Sequence, residues 1–146
     1  MPTQVGTDSD WAKVAPGYNF VAALKSDGSL WTWGDNSWWQ LGLGDDRGKG
    51  KPTQAHIGGG KWKDVAVGDQ QCVGLQSDGT LLTWGSSPTE VDWRTTDRVC
   101  EPHHYDGLME ARWTSVHAGC YAIDAEGHLW DCPPNLQDDM VPERAK

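Results

Sequence analysis

Trp11, Trp62 and Trp113 stand 51 residues apart, and Gly17, Gly68 and Gly119 keep the same spacing. The text around them recurs: Trp11-Ala-Lys-Val-Ala-Pro-Gly17, Trp62-Lys-Asp-Val-Ala-Val-Gly68 and Trp113-Thr-Ser-Val-His-Ala-Gly119. A second echo follows the first two glycines, Asp27-Gly28-Ser-Leu30-Trp-Thr-Trp33-Gly34 and Asp78-Gly79-Thr-Leu81-Leu-Thr-Trp84-Gly85. A period of this length belongs to stacked supersecondary units, each too small to bury its own apolar face. Residues that recur with it are therefore packing residues first.

Each unit reads as β-structure. Val14, Val21 and Leu24 lie in short runs of small and β-branched residues. Ser26-Asp27-Gly28-Ser29 predicts a hairpin with a type I′ turn, and Leu30-Trp31-Thr32-Trp33 alternates as a half-buried strand does. Ten Trp and 18 Gly against one Phe and three Tyr suit short strands and tight turns, with one large ring filling each layer. The repeats run approximately 2–51, 52–87 and 88–132 within a single domain of residues 1–146. A tail of residues 133–146 has no strand pattern and reads as loop or disordered arm. The third repeat is degenerate: Glu126-Gly127 replaces Asp-Gly, and Cys132 stands where Trp33 and Trp84 stood.

Leu30-Trp31-Thr32-Trp33-Gly34-Asp35-Asn36 followed by Gln40-Leu41-Gly42, together with the recurring Trp-x-x-Val-x-x-Gly, resembles the regulator of chromosome condensation repeat family. The resemblance covers two repeats well and the third poorly. It implies an all-β fold, a β-propeller in which each repeat is one blade of four antiparallel strands. It further implies a disc decorated with loops that bind proteins. One residue departs from the family motif: Trp39 occupies the place of a glycine just before Gln-Leu-Gly, and Trp38 precedes it.

Three blades per chain do not close a ring, and an open propeller leaves strand edges and half its core uncovered. Either the chain is a fragment or it self-associates, and two chains would form a six-bladed homodimer with two-fold symmetry. Pro2-Thr3-Gln4 echoes Pro52-Thr53-Gln54, so the chain starts in phase with its repeats, which favours a complete unit over a random truncation.

A net charge of −9 disfavours nucleic acid as a partner. The N-terminus has neither a basic nor an apolar segment of the secretory kind, and no apolar run reaches membrane-spanning length. Cys72, Cys100, Cys120 and Cys132 lack CxxC spacing. A cytoplasmic protein with reduced thiols and no membrane association is the expectation.

Subtracting what repeats leaves two segments. Trp38 and Trp39, with Asp35 and Gln40, lie in a loop present once; a Trp pair there offers large contact area at low entropic cost. It can serve a protein, a sugar, or a neighbouring blade across a seam. Cys100-Glu-Pro-His103-His104-Tyr105-Asp106 gathers thiol, imidazole and carboxylate groups, but its spacing matches no established zinc pattern, and an irregular insertion with surface histidines is the simpler account. No nucleophile elbow, metalloprotease helix, phosphate loop or dinucleotide fingerprint occurs. The expectation is a non-enzymatic binding or scaffold module without cofactor or metal, contacting a protein through Asp35, Trp38, Trp39, Gln40, His103, His104 and Tyr105. The alternatives are a carbohydrate-binding propeller using the same Trp pair, and an enzyme with a site at the assembled channel or seam, for which His103, His104 and Asp106 are the candidates.

Overall fold

The protein is seen in a computed structural model that describes residues 1–57, 59–85, 103–104, 113–118, 121–131 and 143–144. Among these, the strands in chain order are β1 (Trp11–Pro16), β2 (Phe20–Lys25), β3 (Leu30–Gly34), β4 (Lys49–Ala55), β5 (Trp62–Val67), β6 (Gln71–Gln76), β7 (Leu81–Gly85), β8 (His103–His104), β9 (Trp113–His117), β10 (Tyr121–Asp124), β11 (Leu129–Asp131) and β12 (Glu143–Arg144). They form three four-stranded antiparallel sheets, β1–β4, β5–β8 and β9–β12, each a meander of consecutive strands. These are the expected blades of a partial propeller. None of the described residues forms a helix long and apolar enough to cross a membrane.

Three equivalent turns join the second and third strands of the blades. In the first, Gly28 N–H donates to Lys25 O at 2.9 Å and Lys25 N–H to Ser29 O at 3.1 Å. Only Gly28 of that turn has positive φ, 82°, so the turn is not the expected type I′, which needs two such residues. It is a three-residue loop with a single left-handed glycine. Gly79 and Gly127 repeat it. Asp27 Oδ1 accepts the Ser29 N–H at 2.9 Å, and Asp78 Oδ1 accepts that of Thr80 at the same distance. The recurrent Asp-Gly thus supplies both the backbone conformation and the acceptor that hold the turn.

Strand pairing sorts the side chains of each blade onto two faces. In blade one, Val14, Ala23 and Trp31 pair across one face, the front, as do Pro16, Val21 and Trp33. Ala15, Ala22 and Thr32 lie on the other, the back. The back of blade one and the front of blade two share a core: Ala15, Phe20, Leu24 and Leu30 pack with Trp62, Val65, Leu82 and Trp84. The back of blade two repeats the arrangement against the front of blade three, with Val73, Leu75 and Leu81 meeting Trp113, Val116, Ala122 and Trp130.

This geometry explains a difference from the expectation that all five periodic tryptophans are core. Trp62, Trp84 and Trp113 are buried, whereas Trp11 and Trp33 are only half-buried. They stand on the front of blade one, which none of the described blades covers. Trp11 instead packs edge-on against Trp31 with centroids 6.0 Å apart. Lys25 Nζ lies over both rings and is tied to Asp8 and Asp10 at 2.8 and 3.1 Å.

Blades and sequence repeats are out of phase by one strand. Pro52-Thr53-Gln54, which opens the second repeat, belongs to β4 and completes blade one: Gln54 pairs with Trp31 and Thr53 with Thr32. The tail corrects the sequence reading. Glu143–Arg144 pair with Asp131 and Trp130 as the outer strand of blade three. Two residues are too short to display alternation, and the pairing is carried by backbone groups that every residue has.

Candidate partner-binding face

β1 and β3 run in the same direction, so the β1–β2 turn and the 35–48 loop leave the blade at the same end. Asp35 N–H donates to Asn19 O at 2.8 Å and ties the two together. The loop would not hold a shape on its own polar composition. Three of its residues turn inward. Asn36 is fully buried; its amide donates to Asp45 O and to Arg47 O, and its Oδ1 accepts the Leu41 N–H at 2.9 Å. Leu41 is also fully buried and joins the core between blades one and two, while its carbonyl accepts from Thr32 Oγ1 at 2.8 Å.

Gln40 is the third. It was expected as a partner contact, but only 1% of it is exposed. Its Oε1 accepts the Trp38 N–H at 2.8 Å and its Nε2 donates to Asp35 Oδ2 at 3.2 Å. Its carbonyl accepts Trp84 Nε1–H at 3.0 Å from blade two. A buried carbonyl needs a donor, and the periodic tryptophan supplies one. Gln40 therefore clasps the loop to the second blade rather than meeting solvent. Asp35 is half-buried and similarly engaged: the Ser37 hydroxyl, at 2.6 Å, is the main cause that holds its carboxyl below the usual carboxylate range.

What the clamp presents is the Trp pair. Trp38 and Trp39 are both partly exposed, and among the described residues neither indole has a ring-stacking or hydrogen-bonding partner. Trp39 adopts φ 61°, and no other described non-glycine residue has positive φ. Its carbonyl accepts the Gly42 N–H at 3.1 Å and its own N–H donates to Asn36 O at 3.0 Å, so the surrounding turn imposes this conformation. The glycine of the family motif would sit there without strain; an L-residue costs about 1–2 kcal/mol.

Beside the loop lies a cavity of about 640 Å³ to which all three blades contribute: Pro16 to Tyr18, Val67 to Gln71, and Ala118. Gly85 connects it to the loop, since a Cβ there would meet both Gln70 O and Gln40 Cα. Tyr18 is 83% exposed at its rim. Sequence reasoning passed over Tyr18 and Asp69. The available signal was that each follows a recurring glycine yet does not itself recur.

Of the remaining sequence candidates, His103 and His104 are among the described residues. His103 and His104 form β8, opposite Thr83 and Leu82 at the outer edge of blade two. Cys100, Tyr105, Asp106, Cys120 and Cys132 lie outside the described residues, as does any zinc site built from them. Among the described residues, Asp124, Glu126 and His128 come close enough together to hold a metal. Asp124 is already engaged: Oδ1 accepts the N–H groups of Glu126 and His128, and Oδ2 meets Trp130 Nε1–H at 2.8 Å and the His128 ring at 3.0 Å. Burial pulls its carboxyl up, but these hydrogen bonds prevail and hold it at about 2. The cluster organises the β10–β11 turn.

Residues 27–75 and 11–37 each match the family described as Regulator of chromosome condensation (RCC1) repeat. The RCC1 domain-containing protein RUG3, mitochondrial, of Arabidopsis thaliana is 36% identical over 124 residues, which is 82% of this chain and 28% of that protein. Among solved structures, human WBSCR16 superposes with a TM-score of 0.74 at 23% identity, over 98% of this chain and 39% of that one. Yeast RCC1 (Prp20), bound to Kap60, superposes with a TM-score of 0.64 at 21% identity, over 95% and 35%. The chain thus spans roughly a third of each of these three proteins, and at these identities the superpositions speak for the fold. With two repeats matched and three blades folded, the chain belongs to the regulator of chromosome condensation repeat family.

Proposed function

We propose that this chain is a non-enzymatic binding module that engages a protein through the face carrying the 35–48 loop, with Trp38 and Trp39 as the principal contacts. The observation that carries the reading is Trp39 at φ 61°. Strain of this kind persists where the surroundings over-determine it and where the side chain has a use. Asn36, Gln40 and Leu41 fix the loop from beneath, so little ordering entropy remains to be lost on association. Tyr18 and the cavity beside it extend the same face. Yeast RCC1, which shares the fold, was solved in complex with another protein, Kap60.

The test is a comparison of proteins captured by the wild type and by a Trp38→Ala/Trp39→Ala variant with an unchanged melting temperature. Loss of specific captured proteins supports the reading; an identical set overturns it. A glycan array that bound wild type but not the variant would replace a protein partner with a carbohydrate.

We also infer that the open arc self-associates to complete its ring. Among the described residues no blade covers the front of blade one, and the half-burial of Trp11 and Trp33 there supports this second reading. The molar mass in solution tests it.

A further inference from the structure

We propose that the cavity beside the 35–48 loop receives a cationic side chain, arginine or lysine, from the protein partner, with Asp69 as its counter-charge and Tyr18 as its aromatic wall. This rests on the partner-binding reading above and names the chemistry by which the partner is recognised.

The β1–β2 and β5–β6 turns occupy equivalent places in adjacent blades. Gly17 N–H donates to Phe20 O and Gly68 N–H to Gln71 O, both at 2.8 Å, which leaves Tyr18-Asn19 and Asp69-Gln70 as two-residue tips. The tips line the cavity with different chemistry, an exposed phenol ring from blade one and an exposed carboxylate from blade two. The residue that closes each turn differs as well. Phe20 is buried, with its ring against Gly17 where a Cβ would stand. Gln71 takes that place in blade two, stays half-buried and adds an amide to the cavity wall.

Both tips are held in place. Asn19 O accepts the Asp35 N–H at 2.8 Å, which fixes the first tip to the 35–48 loop. Gly85, at φ 90°, lies so close to Gln70 O that a Cβ there would collide with it, which fixes the second against blade two. The groups that would meet a ligand are therefore positioned before it arrives.

Charge selects the ligand. Lysines compensate Asp8, Asp10, Asp45 and Asp64. Asp69, by contrast, makes no ion pair or hydrogen bond with any described residue, and no Lys, Arg or His lines the cavity. An entering cation thus meets an uncompensated carboxylate on a chain of net charge −9, with no competing cation in the cavity wall. The carboxylate offers charge-assisted hydrogen bonds, and the ring of Tyr18 offers a face that attracts a cation. A neutral sugar would stack on the same ring but leave the charge of Asp69 unanswered. At about 640 Å³ the cavity has room for one long side chain and its flanking backbone.

The probe is an end-capped Gly-Gly-Arg-Gly-Gly peptide, compared with the same peptide carrying citrulline, which keeps the shape and loses the charge. Amide NMR signals of the intact chain are followed during titration. The arginine peptide is expected to shift the signals of Gly17, Tyr18 and residues 68–71, and the citrulline peptide to leave them in place. Asp69→Asn should weaken arginine binding about tenfold, the weight of one hydrogen bond to a charged group. Tyr18→Ala should weaken it several-fold, and Tyr18→Phe should restore it. Glu126→Gln removes an exposed carboxylate from the β10–β11 turn, at the other end of the blades, and should change nothing.

Equal shifts with both peptides, or none with either, would overturn the proposal. So would an equal loss in Glu126→Gln, which would assign the binding to net charge alone. A neutral oligosaccharide that shifted the same signals more strongly than the arginine peptide would replace the cation with a sugar. Should the peptides fail while Trp38→Ala/Trp39→Ala still loses its captured proteins, the cation site falls and the partner-binding reading stands.

Discussion

Asp64 Oδ2 accepts the backbone N–H of Val116 at 3.0 Å across the join between blades two and three. Its other oxygen accepts the Val65 N–H at 2.9 Å and the ammonium of Lys13 from blade one. One carboxylate thus touches all three blades. The partners differ in kind. The Lys13 side chain is 40% exposed, whereas the hydrogen bond to the Val116 N–H is partly buried.

Removing the two sides of this contact should therefore have unequal effects. Asp64→Ala strands backbone donors and is expected to lower stability by about 1–3 kcal/mol. Lys13→Met breaks only a surface ion pair, worth about 0–1 kcal/mol. Urea unfolding of both variants decides the matter; equal losses would show that the ion pair carries the contact.

Trp39→Gly is expected to raise stability by about 1 kcal/mol, because glycine takes the left-handed conformation without the Cβ clash. The same variant should weaken partner capture. A thermal melt combined with the capture assay reads both; a loss of stability would mean that the indole packs on the protein itself.

Leu41→Ala should cost about 2–5 kcal/mol, since Leu41 is fully buried between two blades and its removal leaves a cavity there. Hydrogen exchange is the informative readout. Protection should fall in the loop and along β3 and β7 together, whereas a purely local role would confine the loss to the loop.

Asp124 makes stability depend on pH in acid. Its carboxyl titrates at about 2 in the fold against an ordinary 3.8, so the folded state binds protons less readily than the unfolded one. The resulting stabilisation is present above pH ~3.8 and disappears as the pH falls through ~2. Melting temperatures across that window should drop more steeply for the wild type than for Asp124→Asn. Parallel curves would show that the Trp130 and His128 hydrogen bonds do not govern its titration.

The period of the tryptophans and glycines made the blades legible, because each blade solves the same packing problem with the same residues. Trp39 was legible as an anomaly for the same reason, a bulky ring where the pattern has glycine. The direction of Gln40 was not, since it depends on an indole N–H from Trp84, 44 positions away. The burial of Trp11 escaped the pattern too: a ring at a core position is only as buried as the blade set against it. Asp64 hid because its partner is a main-chain group, invisible in residue identities.

The one-strand offset between repeat and blade has a consequence for how such a chain can change length. The first inter-blade connection shows this: β4 completes blade one, and the chain then runs on into β5. Excising any one 51-residue period would fuse three strands of one blade to the closing strand of another and still leave a whole sheet. The modularity therefore resides in the chain's text rather than in its blades, and a gene could gain or shed a unit without leaving any blade short of a strand.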